Sequence, residues 1–281
     1  GLMLSALATV LTTVSILGIL LVEAIDFFRD VSIFDFLTDT QWTPLFDDKH
    51  FGILPLLSGT FITSLVAIVL ALPLGLSIAI FLNEYAHKNT RKIFKPLLEL
   101  LAAVPTVIYG FFALVIVTPF LQSFIPGLAG FNSLSAGLVM GIMIIPFISS
   151  LSEDALFAVP KNLREASYAM GATRFQTVFK VTIPAASSGI IVSVILAISR
   201  AIGETMIVAI AAGQQPRLTL NPLVPVETIS AYIVQVSLGD VPHNSLEYQT
   251  IFVAGITLFA FTFLLNNISF RLRKKYREKY E

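Results

Sequence analysis

Residues 53–82 read ILPLLSGTFITSLVAIVLALPLGLSIAIFL, and this stretch of thirty residues contains no charged side chain. A helix needs roughly 20 mostly apolar residues to cross the hydrocarbon core of a bilayer. The apolar residues run continuously and do not alternate with polar ones, which favours a helix over a strand of a membrane barrel. The stretch therefore predicts a transmembrane helix that is long enough to tilt.

Five further windows have the same apolar character. Four carry no charge and the fifth is apolar apart from Arg200 and Glu204; the five cover residues 2–22, 100–121, 133–152, 250–270 and 183–213. Of the 281 residues, 56% are hydrophobic and 13% are charged, whereas soluble domains average about 25% charged residues. The formal net charge of zero argues against nucleic-acid binding. The sequence predicts an all-α integral membrane protein with six transmembrane helices.

The basic residues are unevenly distributed among the loops. Of 18 lysines and arginines, 14 fall in loop 83–99, loop 153–182 and the tail 271–281. Because cytoplasmic loops are enriched in Lys and Arg, we expect a multi-pass plasma-membrane protein with both termini in the cytoplasm. Residues 1–281 would form a single transmembrane domain: a first span and acidic external loop at 1–49, a core at 50–270, and a basic cytoplasmic tail at 271–281 that meets membrane lipid.

The cytoplasmic loop at residues 160–184 carries helix start and stop signals. Asn162 with Glu165, and Thr173 with Gln176, have the spacing of capping boxes, and Gly171 suits a left-handed helix C-terminus. We predict two short helices separated by a turn at Gly171, with an apolar face formed by Leu163, Ala166, Ala169 and Met170. Periodicity leaves open whether this face lies at the membrane surface or against a partner.

The same loop resembles the EAA loop of ABC importer permeases. It reads Glu165-Ala166-Ser167, three residues, Gly171, nine residues and Val181-x-Ile183-Pro184, close to the family pattern Glu-Ala-Ala, three residues, Gly, nine residues and Ile-x-Leu-Pro. The resemblance implies coupling helices that dock on a separate ATPase subunit, through Glu165, Ala166, Ser167, Gly171, Ala172, Thr173 and Arg174. ATP and Mg would then be bound by that partner, and this chain, which lacks a phosphate-binding loop, would carry no cofactor.

Arg200 and Glu204 are the two charged residues inside the window 183–213. An arginine at the centre of a span costs on the order of 2.5–3.5 kcal/mol on insertion scales. The spacing i, i+4 predicts that both side chains share one helix face. They would form either a structural ion pair or part of a substrate path, in which the guanidinium matches the geometry of an oxyanion.

Residues 200–206, RAIGETM, resemble the corresponding segment of phosphate-specific ABC permeases. FGILPLLSGT at 51–60, ELLAAVPTVIYG at 99–110 and LREASYAMGATRF at 163–175 are similar to the same family, and the first of these is more like its C-type (PstC-like) subunit. The resemblance implies the type I importer transmembrane fold, transport of inorganic phosphate, and charged positions at Arg200 and Glu204 tied to phosphate passage. It also implies a heterodimer with an A-type permease, two ATPase subunits and an external phosphate-binding protein.

Three other functions are compatible with parts of this sequence pattern. An ABC permease for another oxyanion, such as molybdate or sulfate, would share the EAA loop. A secondary transporter is less favoured, because the six spans show no inverted repeat. A membrane-embedded enzyme is not supported, because no catalytic arrangement of His, Asp or Ser is evident, so we expect a transport subunit without its own ATPase site. Trp42, in the first external loop, would anchor at the membrane interface or touch a binding protein.

Overall fold

The computed structural model describes residues 2–243 and 245–276, most of which are helical. Within that part of the chain the helices are α1 Leu2–Asp30, α2 Ile33–Thr38, α3 Leu54–Ile80, α4 Lys88–Ala103, α5 Thr106–Phe112, α6 Thr118–Gln122, α7 Ser133–Phe157, α8 Lys161–Ala169, α9 Arg174–Thr177, α10 Ile183–Ala185, α11 Ser187–Ile202, α12 Met206–Ala211, α13 Ile229–Ser237 and α14 Leu246–Tyr276. Three π-helical turns continue these helices, at Phe81–Tyr85, Ala113–Val117 and Val178–Thr182. The all-α prediction is confirmed.

Four helical segments are long and apolar enough to cross a membrane unbroken: Leu2–Asp30, Leu54–Tyr85, Ser133–Phe157 and Leu246–Arg271. Two further candidates are bent pairs, Asn89–Ala103 with Thr106–Gln122 at 86° and Arg174–Ala185 with Ser187–Ile202 at 70°. The described residues therefore hold six spans if each bent pair counts as one. The apolar windows 100–121 and 183–213 do not predict the angles of these bends. Hydropathy is averaged over a window, so a break of a few residues between two apolar helices does not change it.

The first bend has a local cause at Pro105. Val104, the residue before it, adopts extended backbone angles of φ −63° and ψ 130°, as the residue preceding a proline prefers. The helix α4 therefore ends at Ala103, and α5 begins directly after the proline. Pro105 thus separates the two helices of this bent pair.

The described chain divides into two compact units. The first contains residues 2–63, 110–136 and 203–261. Its core is a cluster of aromatic rings packed edge to face, with ring centroids 5.0–6.3 Å apart, formed by Phe27, Phe28, Phe36, Phe51, Trp42 and Tyr232. Trp42 is 1% exposed, so the expectation of an anchor at the membrane interface is wrong, whereas contact with a binding protein stays a prediction. The acidic segment folds over its own aromatic residues and buries the indole.

The second unit contains residues 64–109, 137–202 and 262–276. Close helix contacts in this unit depend on small residues. A Cβ at Gly141 would lie 2.9 Å from the carbonyl oxygen of Ala67, and one at Gly189 would overlap the side chain of Ala155. The lack of a side chain at Gly141 thus permits close packing of the helices. Of the predicted basic tail, residues up to 276 continue α14, and residues 277–281 lie outside the described part.

Candidate functional site

Glu204 lies in a break between two helices. The helix α11 ends at Ile202 and α12 begins at Met206. The Glu204 carboxylate accepts hydrogen bonds from the backbone N–H groups of Met206 and Ile207, at 3.2 and 3.4 Å, and Ser230 Oγ donates to the Glu204 carbonyl at 2.6 Å. The buried side chain thus caps the first turn of α12, which otherwise leaves its N–H groups without partners.

Arg200 lies in the last turn of α11, within the second unit. Its side chain is half-buried, and Nη2 lies 3.7 Å from the sulfur of Met143 on α7. The prediction that Arg200 and Glu204 share one helix face is wrong, because the helix ends between them. Gly203 is a poor helix former, and the Glu204 carboxylate binds the N–H groups of the next helix. The role of the two charges in a substrate path stays a prediction.

The coupling segment, residues 160–184, contains the two predicted short helices. The first helix, α8, begins after Pro160, whose nearly fixed φ is −55°, and Asn162 lies inside its first turn. The predicted capping box of Asn162 and Glu165 is therefore wrong, because proline starts the helix earlier. Gly171 adopts a φ of +82° and its N–H donates to the carbonyl of Tyr168 at 2.9 Å, which confirms the predicted left-handed end.

The second start signal is confirmed in full. Thr173 Oγ1 accepts the N–H of Gln176 at 3.3 Å, and the Gln176 side chain accepts the N–H of Thr173 at 2.9 Å. Side chains of the two helices are also joined directly, because the hydroxyls of Ser167 and Thr177 hydrogen-bond at 2.9 Å. The coupling segment is thus held together by its own polar contacts, and the turn between its helices has a defined shape.

The apolar side chains of the coupling segment face outwards. Leu163 packs against buried residues of its unit, whereas Ala166 and Ala169 are exposed. Met170 is 87% exposed and Phe175 is 63% exposed. The predicted apolar face is therefore split: one residue anchors the segment, and the others remain on the surface. The Phe175 ring centroid lies 4.5 Å from that of Phe179, which is also exposed, and neighbouring exposed apolar side chains are typical of a protein interface.

Arg164 connects the coupling segment to the helices beneath it. Its guanidinium Nη2 lies 3.2 Å from a carboxylate oxygen of Glu84 and donates to the carbonyl of Leu156 at 2.7 Å. In addition, the Arg174 guanidinium lies 5.8 Å from the ring centroid of Tyr85, within the range of a cation–π contact. Sequence reasoning missed Arg164, Glu84 and Tyr85, because a pairing across eighty residues leaves no periodic or spacing signal.

A second charged cluster lies between α4 and α7. Glu153 is buried, and its carboxylate lies 2.5 Å from Arg91 and 3.4 Å from Lys95. The same lysine lies 3.4 Å from Asp154. Arg91 and Lys95, two of the basic residues of loop 83–99, thus pair with acidic side chains of α7. Among residues 2–243 and 245–276, no group of His, Asp or Glu is placed to hold a metal ion.

Comparison with known families identifies related proteins. The family described as "Binding-protein-dependent transport system inner membrane component" matches residues 71–278. The probable ABC transporter permease protein YqgH of Bacillus subtilis is 37% identical over 83% of this chain and 75% of its own length. The phosphate transport system permease protein PstC of Mesorhizobium japonicum is 37% identical over 83% of this chain and 76% of its own, and that of Haemophilus influenzae is 32% identical over 92% and 87%.

Solved structures share the fold at lower identity. A membrane chain of the bacterial alginate ABC transporter, in complex with an alginate-bound periplasmic protein, gives a TM-score of 0.66 at 17% identity, over 100% of this chain and 96% of its own. A chain of the inward-facing MetNI methionine ABC transporter gives 0.58 at 20% identity, over 81% and 95%. These likenesses confirm the predicted type I importer transmembrane fold.

Proposed function

Because the chain belongs to the family of binding-protein-dependent transport system inner membrane components, we propose that it is the permease subunit of an ABC importer for inorganic phosphate. It is a multi-pass membrane protein, and the energy for transport comes from ATP hydrolysis on a separate subunit. The observation that carries the substrate is the identity of 32–37% to PstC permeases over more than four fifths of the chain.

The partners follow from this assignment as part of the proposal. An A-type permease would complete the transmembrane pathway as a heterodimer, two ATPase subunits would bind ATP and Mg, and an external phosphate-binding protein would deliver the anion. The exposed Met170 and Phe175 on the coupling segment support an ATPase contact, since docked apolar side chains contribute most to such interfaces. Met170 and Phe175 are neighbours in sequence of the predicted coupling residues Glu165, Ala166, Ser167, Gly171, Ala172, Thr173 and Arg174.

The attachment of the coupling segment suggests how movement would be transmitted. Arg164 ties α8 to Glu84 at the end of α3 and to the carbonyl of Leu156 at the end of α7. A displacement of α8 by the ATPase would therefore pull on two spans of the same unit at once. Movements of this kind become alternating access when they open the pathway to one side of the membrane at a time.

Arg200 and Glu204 are proposed to act on the anion in different ways. The half-buried Arg200 offers a planar set of donors that matches phosphate. Glu204, which caps α12, would instead fix the position of that short helix after the break. A guanidinium placed within a span is costly, and favourable contact with a transported anion would offset part of this cost.

Uptake measurements would test the proposal directly. The complete complex, with both permeases and the ATPase, is reconstituted in vesicles, and entry of radiolabelled phosphate, sulfate and molybdate is followed with ATP and the matching binding protein. We expect ATP-dependent uptake of phosphate alone. Uptake of sulfate or molybdate in place of phosphate would assign the chain to another oxyanion, and uptake that does not require the ATPase would refute the importer assignment.

A further inference from the structure

A pocket of about 170 Å³ opens within the first unit, away from the coupling segment. It is lined by residues of the loop after α2, of the segment after α12, and of α13 with the turn before it. The residues that matter here are Trp42, Phe46, Glu227, Tyr232 and Gln235. None of these lies in a candidate span, and the topology predicted from the basic loops places them on the external side of the membrane.

Glu227 is the acidic residue of this pocket. It is 2% exposed, and its Oε1 has no hydrogen-bond partner within residues 2–243 and 245–276. The same holds for Oε1 of Gln235. Buried acceptor oxygens nearly always accept a hydrogen bond in folded proteins, because a buried acceptor without a donor is destabilising. Two such oxygens around one pocket therefore indicate a missing donor group, and the Trp42 Nε1–H, which also has no partner among the described residues, is left for an acceptor such as a backbone carbonyl next to that group.

The backbone holds Glu227 in place. Thr228 caps α13 by accepting the N–H of Ala231 at 3.2 Å, and the N–H of Ile229 donates to Thr60 on α3 at 3.1 Å. Gly59 approaches the Glu227 carbonyl so closely that a Cβ there would overlap it. The backbone on both sides of the Glu227 side chain is thus held by neighbouring elements.

The remaining walls favour a cation. The Trp42 and Tyr232 rings meet edge to face with centroids 5.0 Å apart, and the Phe46 ring is exposed. Aromatic faces attract ammonium and guanidinium groups, and both groups supply several donors to carboxylate and amide oxygens. Glu227 is the only charged residue that lines the pocket in the described chain. The volume corresponds to roughly five water molecules, enough for the end of one long side chain.

The surroundings indicate that the cation comes from a protein. Asp47 and Asp48 directly follow Phe46 in the chain, and Leu45 and Phe46, which line the pocket, are exposed. Acidic charge steers a basic partner and apolar side chains at the rim exclude water from the contact. We propose that the Glu227 pocket receives a lysine or arginine side chain of the external solute-binding protein; this inference rests on the proposed function.

The protonation of Glu227 gives a second readout. Burial raises the pKa of Glu227 to about 8, so the empty pocket holds a mostly neutral carboxyl group at pH 7. A docked cation favours the carboxylate form of Glu227, so docking releases this proton. The affinity of the complex for the binding protein should therefore increase with pH, by at most tenfold per pH unit, and level off above about pH 8. Tyr232, the other titratable side chain in the lining, does not interfere, because burial raises its pKa further from neutrality.

The test measures docking of the transporter's own phosphate-binding protein, loaded with phosphate, to the assembled complex in lipid nanodiscs. Glu227→Gln copies the neutral form of the residue and therefore preserves the fold. We expect it to weaken docking at least about tenfold, since loss of one partner of a buried charge pair is costly, and to abolish the pH dependence. The exposed Asp47→Asn serves as the matched control and should leave the pH dependence intact.

A fluorescent probe can locate the contact, because the chain contains no cysteine. A dye on Phe46→Cys should change its emission when the binding protein docks. Unchanged affinity in Glu227→Gln, or a dye that does not respond, would overturn the inference, as would a loss of complex assembly in place of docking. Failure of the wild-type complex to bind the protein at all would instead refute the proposed function.

Discussion

The ion pair between Arg164 and Glu84 allows a quantitative test of how the coupling segment is attached. The side chains are 19% and 5% exposed, so solvent screens them little. Removal of one partner from a buried pair costs about 3–5 kcal/mol, and Arg164→Ala also removes the hydrogen bond to the Leu156 carbonyl. We therefore expect Arg164→Ala to destabilise the packing of α8 on its unit by about 3 kcal/mol or more.

The functional consequence should be uncoupling. The complex still assembles through the exposed apolar residues and hydrolyses ATP, but the ATP consumed per phosphate imported increases. Lys161→Ala, an exposed change on the same helix, is the matched control and should leave this ratio unchanged. Measurement of hydrolysis and uptake on the same vesicles gives the ratio without any assumption about the amount of active protein.

The exchanged pair Glu84→Arg with Arg164→Glu distinguishes the ion pair from simple loss of packing. A double-mutant cycle on stability should give an interaction energy of about 1–3 kcal/mol, and the exchanged pair should recover part of the coupling. An unchanged ATP-to-phosphate ratio in Arg164→Ala, or an interaction energy near zero, would refute the reasoning.

Four further results are expected. Gly171→Val places a β-branched residue at φ +82° at a cost of about 1–2 kcal/mol and should weaken co-purification of the ATPase; intact co-purification would contradict it. Arg200→Ala should abolish phosphate uptake without preventing assembly, and wild-type uptake would show that the guanidinium is not required. Glu204→Lys should impair transport more than complex formation, whereas equal losses would indicate a purely structural cap. The hydrogen bond to Asp39 raises the pKa of His50. Burial acts to raise the pKa of Asp39, but hydrogen bonds, the one from His50 first among them, outweigh burial and lower it. The external loop that contains Asp39 and His50 should therefore resist proteolysis best in mildly acidic buffer. Its protection should decrease as the pH rises through the raised pKa of His50 and as it falls through the lowered pKa of Asp39. His50→Gln should make the rate of proteolysis less dependent on pH.

Local signals were read correctly from the sequence. The capping box of Thr173 and the glycine at 171 involve neighbours within three or four residues, so their geometry follows from residue type. The same reasoning failed at Asn162, because Pro160 competes as a start signal and fixes its own φ. At this helix start, the proline ring restricts the backbone covalently, and α8 begins after Pro160 and not at Asn162.

Long-range arrangements could not be predicted from one sequence. Glu204 was placed on a continuous helix because apolar composition does not reveal a break of three residues. The loop around Trp42 is rich in aspartate, which is typical of a solvated loop, so the sequence predicts this tryptophan at an interface. In the structure, the Trp42 ring instead packs against Tyr232. The buried Glu153 pairs with Arg91 across about sixty residues, and no spacing rule links them. Contacts of this kind are set by packing of helices that the sequence pattern identifies only one at a time.

The aromatic core of the first unit has a consequence for biosynthesis. Trp42 packs against Tyr232, and 190 residue positions separate them. At a synthesis rate of about 5–20 residues per second, the ribosome adds Tyr232 roughly 10–40 s after Trp42. During this delay the Trp42 indole and the phenylalanines around it lack their packing partner Tyr232. The nascent chain therefore exposes apolar aromatic surface next to its first span until α13 is synthesised.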